Sequence, residues 1–437
     1  MLDFYRRILL NSKNVERSSY IWNALYGIIF AMQSAILLIV ITRTNGLDDA
    51  GVFSIAFAIA GLLSFIADFG VRKYQVSDIN EINSFTDYFS SRLLTCTAMI
   101  IACVIASIYG YVFRSYSVSK CLVIMMIGFV KLSESISDVF FGRFQQQGRL
   151  DIAAKTNSYR IIGSMLCCIV ALIITHDLLI SCAVWAATSM LGVFIFILPL
   201  AKPFCKIKVK FIKTAQKRII VECFPLFVGS FLLIYLGNAP KYAIDVYMNE
   251  SAQACYNFIY MPVFVIGLLA NFVFNPVLVD MSMAWDKGEH RIFNKIVLRQ
   301  HLVIAGLTAL AIAVAVTIGC PVLGWLYHTD LSAFRLELSI LMIGGGMLAL
   351  VNFYAVVVTV IRSQQLLTIG YIAVSAIAFL MSGKFVQGYG LMGAAVLYSV
   401  LMTLLAVAFA VILFISIRKK KASMKAGMTE GKKEEAN

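Results

Sequence analysis

Twelve apolar windows, each 16 to 27 residues long and bounded by charged or polar residues, constrain this chain more than any other feature. They cover 20–41, 50–69, 93–113, 121–141, 158–174 and 178–200, then 223–242, 254–279, 301–322, 336–361, 366–381 and 391–417. A helix of about 20 residues crosses a hydrocarbon core about 30 Å thick, and in lipid an unpaired segment satisfies its backbone groups only as a helix. The predicted fold is an all-α polytopic membrane protein with about 12 transmembrane helices. The first window follows 19 mostly polar residues and has no small-residue cleavage site, so it reads as a span and not as a signal peptide.

Composition sets what remains for other work. The 437 residues are 60% hydrophobic and 14% charged, against about 25% charged in a soluble protein. Twelve spans consume about 240 residues and leave about 15 for each connection or tail. A sizeable soluble domain does not fit, and the phosphate-cradling pattern G-x-x-x-x-G-K-[ST] is absent from the sequence. A fused ATPase is therefore excluded, and any pumping draws on a gradient or a partner.

The formal net charge of +14 could point to nucleic acid, so the placement of the cations decides. With the N-terminus inside, cytoplasmic segments hold 30 of the 37 Lys and Arg residues. The outer segments hold six, Arg43, Arg114, Lys120, Lys241, Arg335 and Lys384, and Lys131 sits deep within a span. This asymmetry predicts cytoplasmic N- and C-termini, and it explains the charge without nucleic acid. Ten cysteines lie mostly inside apolar windows with no C-x-x-C, and neither they nor the four histidines show metal-ligand spacing. They read as reduced packing residues, and no cofactor or metal is predicted.

The predicted organisation is a cytoplasmic segment 1–19, a six-helix lobe 20–200, a basic cytoplasmic linker 201–222, a second six-helix lobe 223–417 and a disordered basic tail 418–437. The linker carries Lys202, Lys206, Lys208, Lys210, Lys213, Lys217 and Arg218, with no acidic residue among them. Attraction to anionic headgroups or docking of a cytoplasmic partner would both suit it. The two halves echo each other: Gly51-Val52-Phe53-Ser54-Ile55-Ala56-Phe57 opens the second window and Ala254-Cys255-Tyr256-Asn257-Phe258-Ile259-Tyr260 the eighth. Arg143-Phe144-Gln145-Gln146 ends the fourth and Arg362-Ser363-Gln364-Gln365 the tenth. Six spans per half give both halves one orientation, a parallel repeat about a pseudo-two-fold axis along the membrane normal.

On these residues the chain resembles the polysaccharide flippases of the multidrug/oligosaccharidyl-lipid/polysaccharide exporter superfamily, over roughly residues 18–417. The resemblance rests on Arg43 with Gly46, the Gly51-x-Phe53 opening, Asp68-Phe69-Gly70, Asp245 before Ala254-x-Tyr256, and Pro276 followed by Gly288. Ala254 stands where many relatives have glycine. The resemblance implies a non-enzymatic flippase that moves an undecaprenyl-diphosphate-linked oligosaccharide from the cytoplasmic to the outer leaflet of a bacterial plasma membrane. It implies use in O-antigen or capsule synthesis, alternating access between the lobes, coupling to H+ or Na+, and partners among membrane lipids, a polysaccharide polymerase and a chain-length regulator.

Ionisable groups inside a span are costly and mark function or a partner. Lys131, Glu134 and Asp138 fall at i, i+3 and i+7 of the fourth window, within a stripe about 60° wide that Ser135, Gly142 and Gln145 extend. Lys131 lies twelve residues from Arg143, about 18 Å deep at 1.5 Å per residue. Either Lys131 pairs structurally with Glu134 or Ser135, or it faces the central cleft and binds diphosphate or sugar while Glu134 or Asp138 exchanges a proton or Na+. The repeat partners Leu350, Phe353 and Val357 are apolar, so the fold can be built without these charges. Asp68, Arg43, and Lys241 with Asp245 are further candidates, each as a substrate contact or as an interfacial cap or i,i+4 pair. Pro225, Pro240 and Pro262 permit kinks, and Gly344-Gly345-Gly346 reads as a close-packing site or a hinge.

The nearest alternative is a small-molecule or drug exporter of the same superfamily working by exchange with H+ or Na+. Lys131 favours an anionic substrate over an organic cation. A membrane polymerase or ligase would need catalytic groups outside, where the connections are about a dozen residues long. A scaffold would leave the mid-span charges without a use.

Overall fold

The computed structural model describes residues 9–10, 12, 14–78, 80–361 and 363–434. The described chain is helical almost throughout: α1 Val15–Asn45, α2 Leu47–Asp68, α3 Val71–Ser77, α4 Phe85–Phe113, α5 Val118–Gln146, α6 Leu150–Thr175 and α7 Leu178–Ala201. There follow α8 Lys213–Tyr247, α9 Glu250–Asp286, α10 His290–Tyr327, α11 Arg335–Val360 and α12 Leu367–Glu434. Helices α7 and α10 each carry a π-helical turn, at Val193–Ile197 and Ala315–Gly319.

Nine stretches among the described residues are long and apolar enough to cross a membrane. Helices α5 and α9, of 29 and 37 residues, are not among the nine; the first carries Lys131, Glu134 and Asp138. The last stretch, Leu367–Lys419, has 53 residues and breaks at Gly390 (φ 57°, ψ −135°), so it supplies two crossings of about 20 residues each. Counting α5, α9 and both arms of α12 gives the twelve crossings predicted.

The chain divides into two compact units, the first comprising Met1–Ile234 with Asn249–Ala254 and the second Tyr235–Met248 with Cys255–Asn437. The boundary therefore lies within α8 and not at the basic linker where it was expected. The reason is local: the linker and the start of α8 are bonded to the first unit. The Lys210 N–H donates to Ser90 Oγ at 3.0 Å, Ser91 Oγ donates to Gln216, and the Arg218 guanidinium donates to Asn83 Oδ1. Residues 249–254 are tied to the same unit, Glu250 by an ion pair to Lys120 at 2.8 Å and Ser251 by a 2.6 Å hydrogen bond to Asp48. Gly51 faces the Glu250 backbone, in a space that a Cβ would fill.

Helix boundaries set where the charged side chains fall. Helices α4 and α6 begin at Phe85 and Leu150, eight residues before their apolar windows, because a helix continues through polar turns that hydropathy does not register. Ser84 and Asp87 cap α4 reciprocally. At the end of α2, Phe69 and Gly70 both take left-handed backbone (φ 45° and 71°), which breaks the helix and redirects the chain into α3. Phe69 is held there by stacking on Phe227, 4.5 Å between centroids.

In the second unit the three glycines of α11 are packing positions. A Cβ on Gly344 would meet Tyr398 at 2.6 Å, one on Gly345 would press on Ile266 and Val263, and one on Gly346 would strike Thr308. Pro225, Pro240 and Pro262 lie inside α8 and α9, which continue through them. The tail expected to be disordered is instead helical to Glu434, extending the second arm of α12. Its Lys, Ala, Met and Glu residues are strong helix formers, and extending a formed helix avoids the cost of nucleation. Of the repeated motif, Arg143–Gln146 closes α5, whereas Arg362 lies outside the described residues.

Candidate functional site

The stripe on α5 is the hub of a charged network in the first unit. At one end, Lys131 Nζ lies 2.8 Å from Glu134 Oε2, and Glu134 Oε1 accepts from Gln33 Nε2 of α1 at 2.9 Å. The Lys131 ammonium also sits 4.5 Å from the centroid of Phe57 and 5.4 Å from that of Phe30. The side chains of the pair are only 6% and 11% exposed. Lys131 thus carries its own counter-ion and lies against the rings of Phe57 and Phe30.

One to two turns further along, Asp138 receives two guanidinium groups. Arg72 Nη1 of α3 donates to its Oδ1 at 3.2 Å and Arg92 Nη2 of α4 to its Oδ2 at 2.9 Å. Arg92, whose side chain is fully buried, also reaches Asp68 Oδ1 at 3.4 Å and the Ala67 carbonyl at 2.6 Å. Ser135 Oγ donates to Asp68 Oδ1 at 2.7 Å. Arg72 donates to Gln145 Oε1 at 3.0 Å and lies 3.7 Å over the Phe141 ring. Gly142 lets α3 approach this closely, since a Cβ there would collide with Gln75 and Arg72. Every polar position of the predicted stripe has therefore found a partner, Lys131 on α5 itself and the others on α1, α2, α3 or α4.

Three cations (Arg72, Arg92, Lys131) balance three carboxylates (Asp68, Glu134, Asp138), so the network is neutral when all six are ionised. Burial grades along it. Asp138 and Asp68 are 25% and 37% exposed, against 11% for Glu134, so their carboxylates are the less buried ones of the network.

Gln33, Arg72, Arg92 and Arg160 were missed by the sequence reading. The three arginines entered it as cytoplasmic topology charges, yet Arg92 and Arg160 are buried inside helices. Arg160 of α6 donates to Ser133 and Ser189 at 3.0 and 2.8 Å and packs under Gly192. The available signal was position: Arg92 abuts an apolar window, Arg160 lies inside one, and the Phe69-Gly70 break turns Arg72 back toward α5.

The other predicted residues are dispersed. Arg43 is exposed in the last turn of α1. In the second unit, Lys241 and Asp245 lie on α8, but the expected i,i+4 ion pair between them is not formed. Lys241 is buried at 8% exposure with its Nζ 4.5 Å from the centroid of Tyr260. Among the described residues no group of three or more His, Cys, Asp or Glu is placed to hold a metal ion.

The sequence model of the family described as polysaccharide biosynthesis protein matches residues 17–282, more than half of the chain. The chain belongs to this family. The matched region contains all of the network above. No curated protein matches the chain by sequence. Among solved structures, an inward-facing multidrug resistance MATE family transporter of the MOP superfamily aligns with a TM-score of 0.64 at 12% identity, covering 90% of this chain and 96% of that one. The lipid II flippase MurJ in an inward closed conformation aligns with a TM-score of 0.63 at 15% identity, covering 90% and 87%. A eukaryotic MATE transporter aligns at 0.60 and 14% identity, covering 93% and 98%. These likenesses establish that this family member has the fold shared by MATE transporters and that lipid flippase.

Proposed function

We propose that this polysaccharide biosynthesis family member is a flippase. It carries an undecaprenyl-diphosphate-linked oligosaccharide from the cytoplasmic to the outer leaflet of a bacterial plasma membrane by alternating access, for O-antigen or capsule synthesis. A diphosphate with several sugars cannot enter hydrocarbon unaided, because burying an unpaired charge costs far more than thermal energy supplies. The observation that carries the reading is the charged network on α5 at membrane depth, inside the family-matched region. Such a network supports the reading, since paired charges can be kept in a protein interior where a lipid interior would exclude them.

In this reading H+ or Na+ takes the place of the arginines as partner of Asp68 and Asp138, the most exposed carboxylates of the network. Lys131 and Glu134 form the closed end. The termini and the basic linker face the cytoplasm, and the polymerase and chain-length regulator receive the product outside.

The test is deletion of the gene followed by assay of surface glycan and of intracellular lipid-linked intermediate. Surface glycan should disappear, the intermediate should accumulate on the inner leaflet, and a plasmid copy should reverse both. Normal surface glycan in a strain with no second flippase would overturn the reading in favour of small-molecule export.

A further inference from the structure

Lys241 in the second unit differs in kind from every cation of the α5 network. It is buried, and among the described residues no carboxylate forms an ion pair with it. Asp245, one turn further along α8, makes none with it either. What it has is the face of Tyr260, at 4.5 Å. Tyr260 is itself the centre of an aromatic group, with Tyr256 stacked one turn before it on α9 (6.0 Å, 18°) and Tyr398 of α12 edge-on (5.2 Å, 89°).

One turn before Tyr260 on α9, polar atoms lack partners. The hydroxyl of Tyr256, a fully buried residue, and the side-chain oxygen Oδ1 of Asn257, 5% exposed, have no hydrogen bond. Gly237 lies one turn before Lys241 on the same face of α8, with the Tyr260 hydroxyl 3.7 Å from where a Cβ would stand. An ammonium and an aromatic face thus meet where α8 withholds a side chain, with unsatisfied hydrogen-bonding groups one turn away on α9. A ring face repays only part of the cost of dehydrating an ammonium, and buried polar groups left unpaired call for an occupant.

We propose that Lys241 receives the anionic diphosphate group of the transported lipid, with Tyr256 and Asn257 taking hydroxyl or amide groups of the adjoining sugar. This rests on the flippase reading and adds to it the place where the charge of the cargo is held. Lys131 is unsuited to that task because Glu134 already neutralises it.

The test uses the full chain in nanodiscs with farnesyl diphosphate as the probe. Binding should weaken at least tenfold in Lys241→Met and stay within about threefold of wild type in Lys241→Arg. Tyr260→Leu, which removes the ring, should also weaken it, while Lys131→Met with Glu134→Gln should not. Inorganic diphosphate should compete, and phosphatidylglycerol should not. Unchanged binding in Lys241→Met, absence of binding to wild type, or equal competition by phosphatidylglycerol would each overturn the assignment. Because Met suits an apolar site, Lys241→Met should melt no lower than wild type; if it does melt lower, Tyr256→Phe, which deletes only the unpartnered hydroxyl, carries the binding test. Export separates the two levels of inference. Normal surface glycan from Lys241→Met beside a defective deletion strain removes the Lys241 assignment alone, whereas normal glycan in the deletion strain removes the flippase reading.

Discussion

The ammonium of Lys131 lies 2.8 Å from Oε2 of Glu134, one turn along the same helix, with both side chains nearly dry. Removing one member of such a pair leaves a buried charge uncompensated, which costs about 3–5 kcal/mol, whereas removing both together is close to neutral. Lys131→Met should therefore lower protein level and melting temperature, and the double variant Lys131→Met, Glu134→Gln should restore both. Gln33 can still donate to a glutamine at 134. Fluorescence-detected size-exclusion thermal melts on the three variants decide it; a double variant as unstable as Lys131→Met would rule out a simple pair.

Arg92 bridges Asp68, Asp138 and the Ala67 carbonyl from a fully buried position. Arg92→Met should destabilise by about 3 kcal/mol, the lower end for a broken buried pair, since both carboxylates keep some solvent. Arg92→Lys should recover little, because one ammonium cannot span the two carboxylates as a planar fork does. The same melts measure it, and equal stability of Arg92→Lys and wild type would contradict the bridging role.

Asp78 anchors the turn between α3 and α4. Burial raises its carboxyl pKa, but the N–H groups of Asn83 and Ile82 and the hydroxyl of Tyr88 outweigh that and hold it below the usual carboxylate value. A depressed folded pKa contributes stability that is present above the unfolded value and lost as pH falls through the folded one. The melting-temperature difference between wild type and Asp78→Asn should thus be constant from about pH 6 to 8 and shrink below about pH 4. A difference that grows on acidification would show the sign to be wrong.

Thirty cations on one side against six on the other predict where the termini lie. Reporter fusions after Lys210 and Lys425 should both read cytoplasmic. A periplasmic signal from either would reverse the orientation proposed for transport.

The spans were legible because hydropathy is a local property, and so was the α5 stripe, where three charges interrupt an otherwise apolar helix. The pairing of Lys131 with Glu134 could be foreseen as one of two outcomes, since residues three apart share a face. The Arg72–Asp138 and Arg92–Asp138 contacts could not. They depend on the Phe69-Gly70 break and on α4 starting eight residues before its apolar window, and a charge count assigns the same arginines to a wet loop. Lys241 was legible as a candidate for substrate contact or for a pair with Asp245, and only the packed unit shows that Asp245 is not its ion-pair partner.

The three glycines of α11 have a consequence at the level of the gene. Every glycine codon is GGN, and each single-base missense change at its first or second base encodes a residue with a Cβ. At Gly344 and Gly346 that atom would collide with Tyr398 and Thr308, and at Gly345 it would crowd Ile266 and Val263. No one-step missense route out of these codons avoids the contact, so random mutagenesis scored by surface glycan should leave this nine-base stretch almost free of surviving missense alleles.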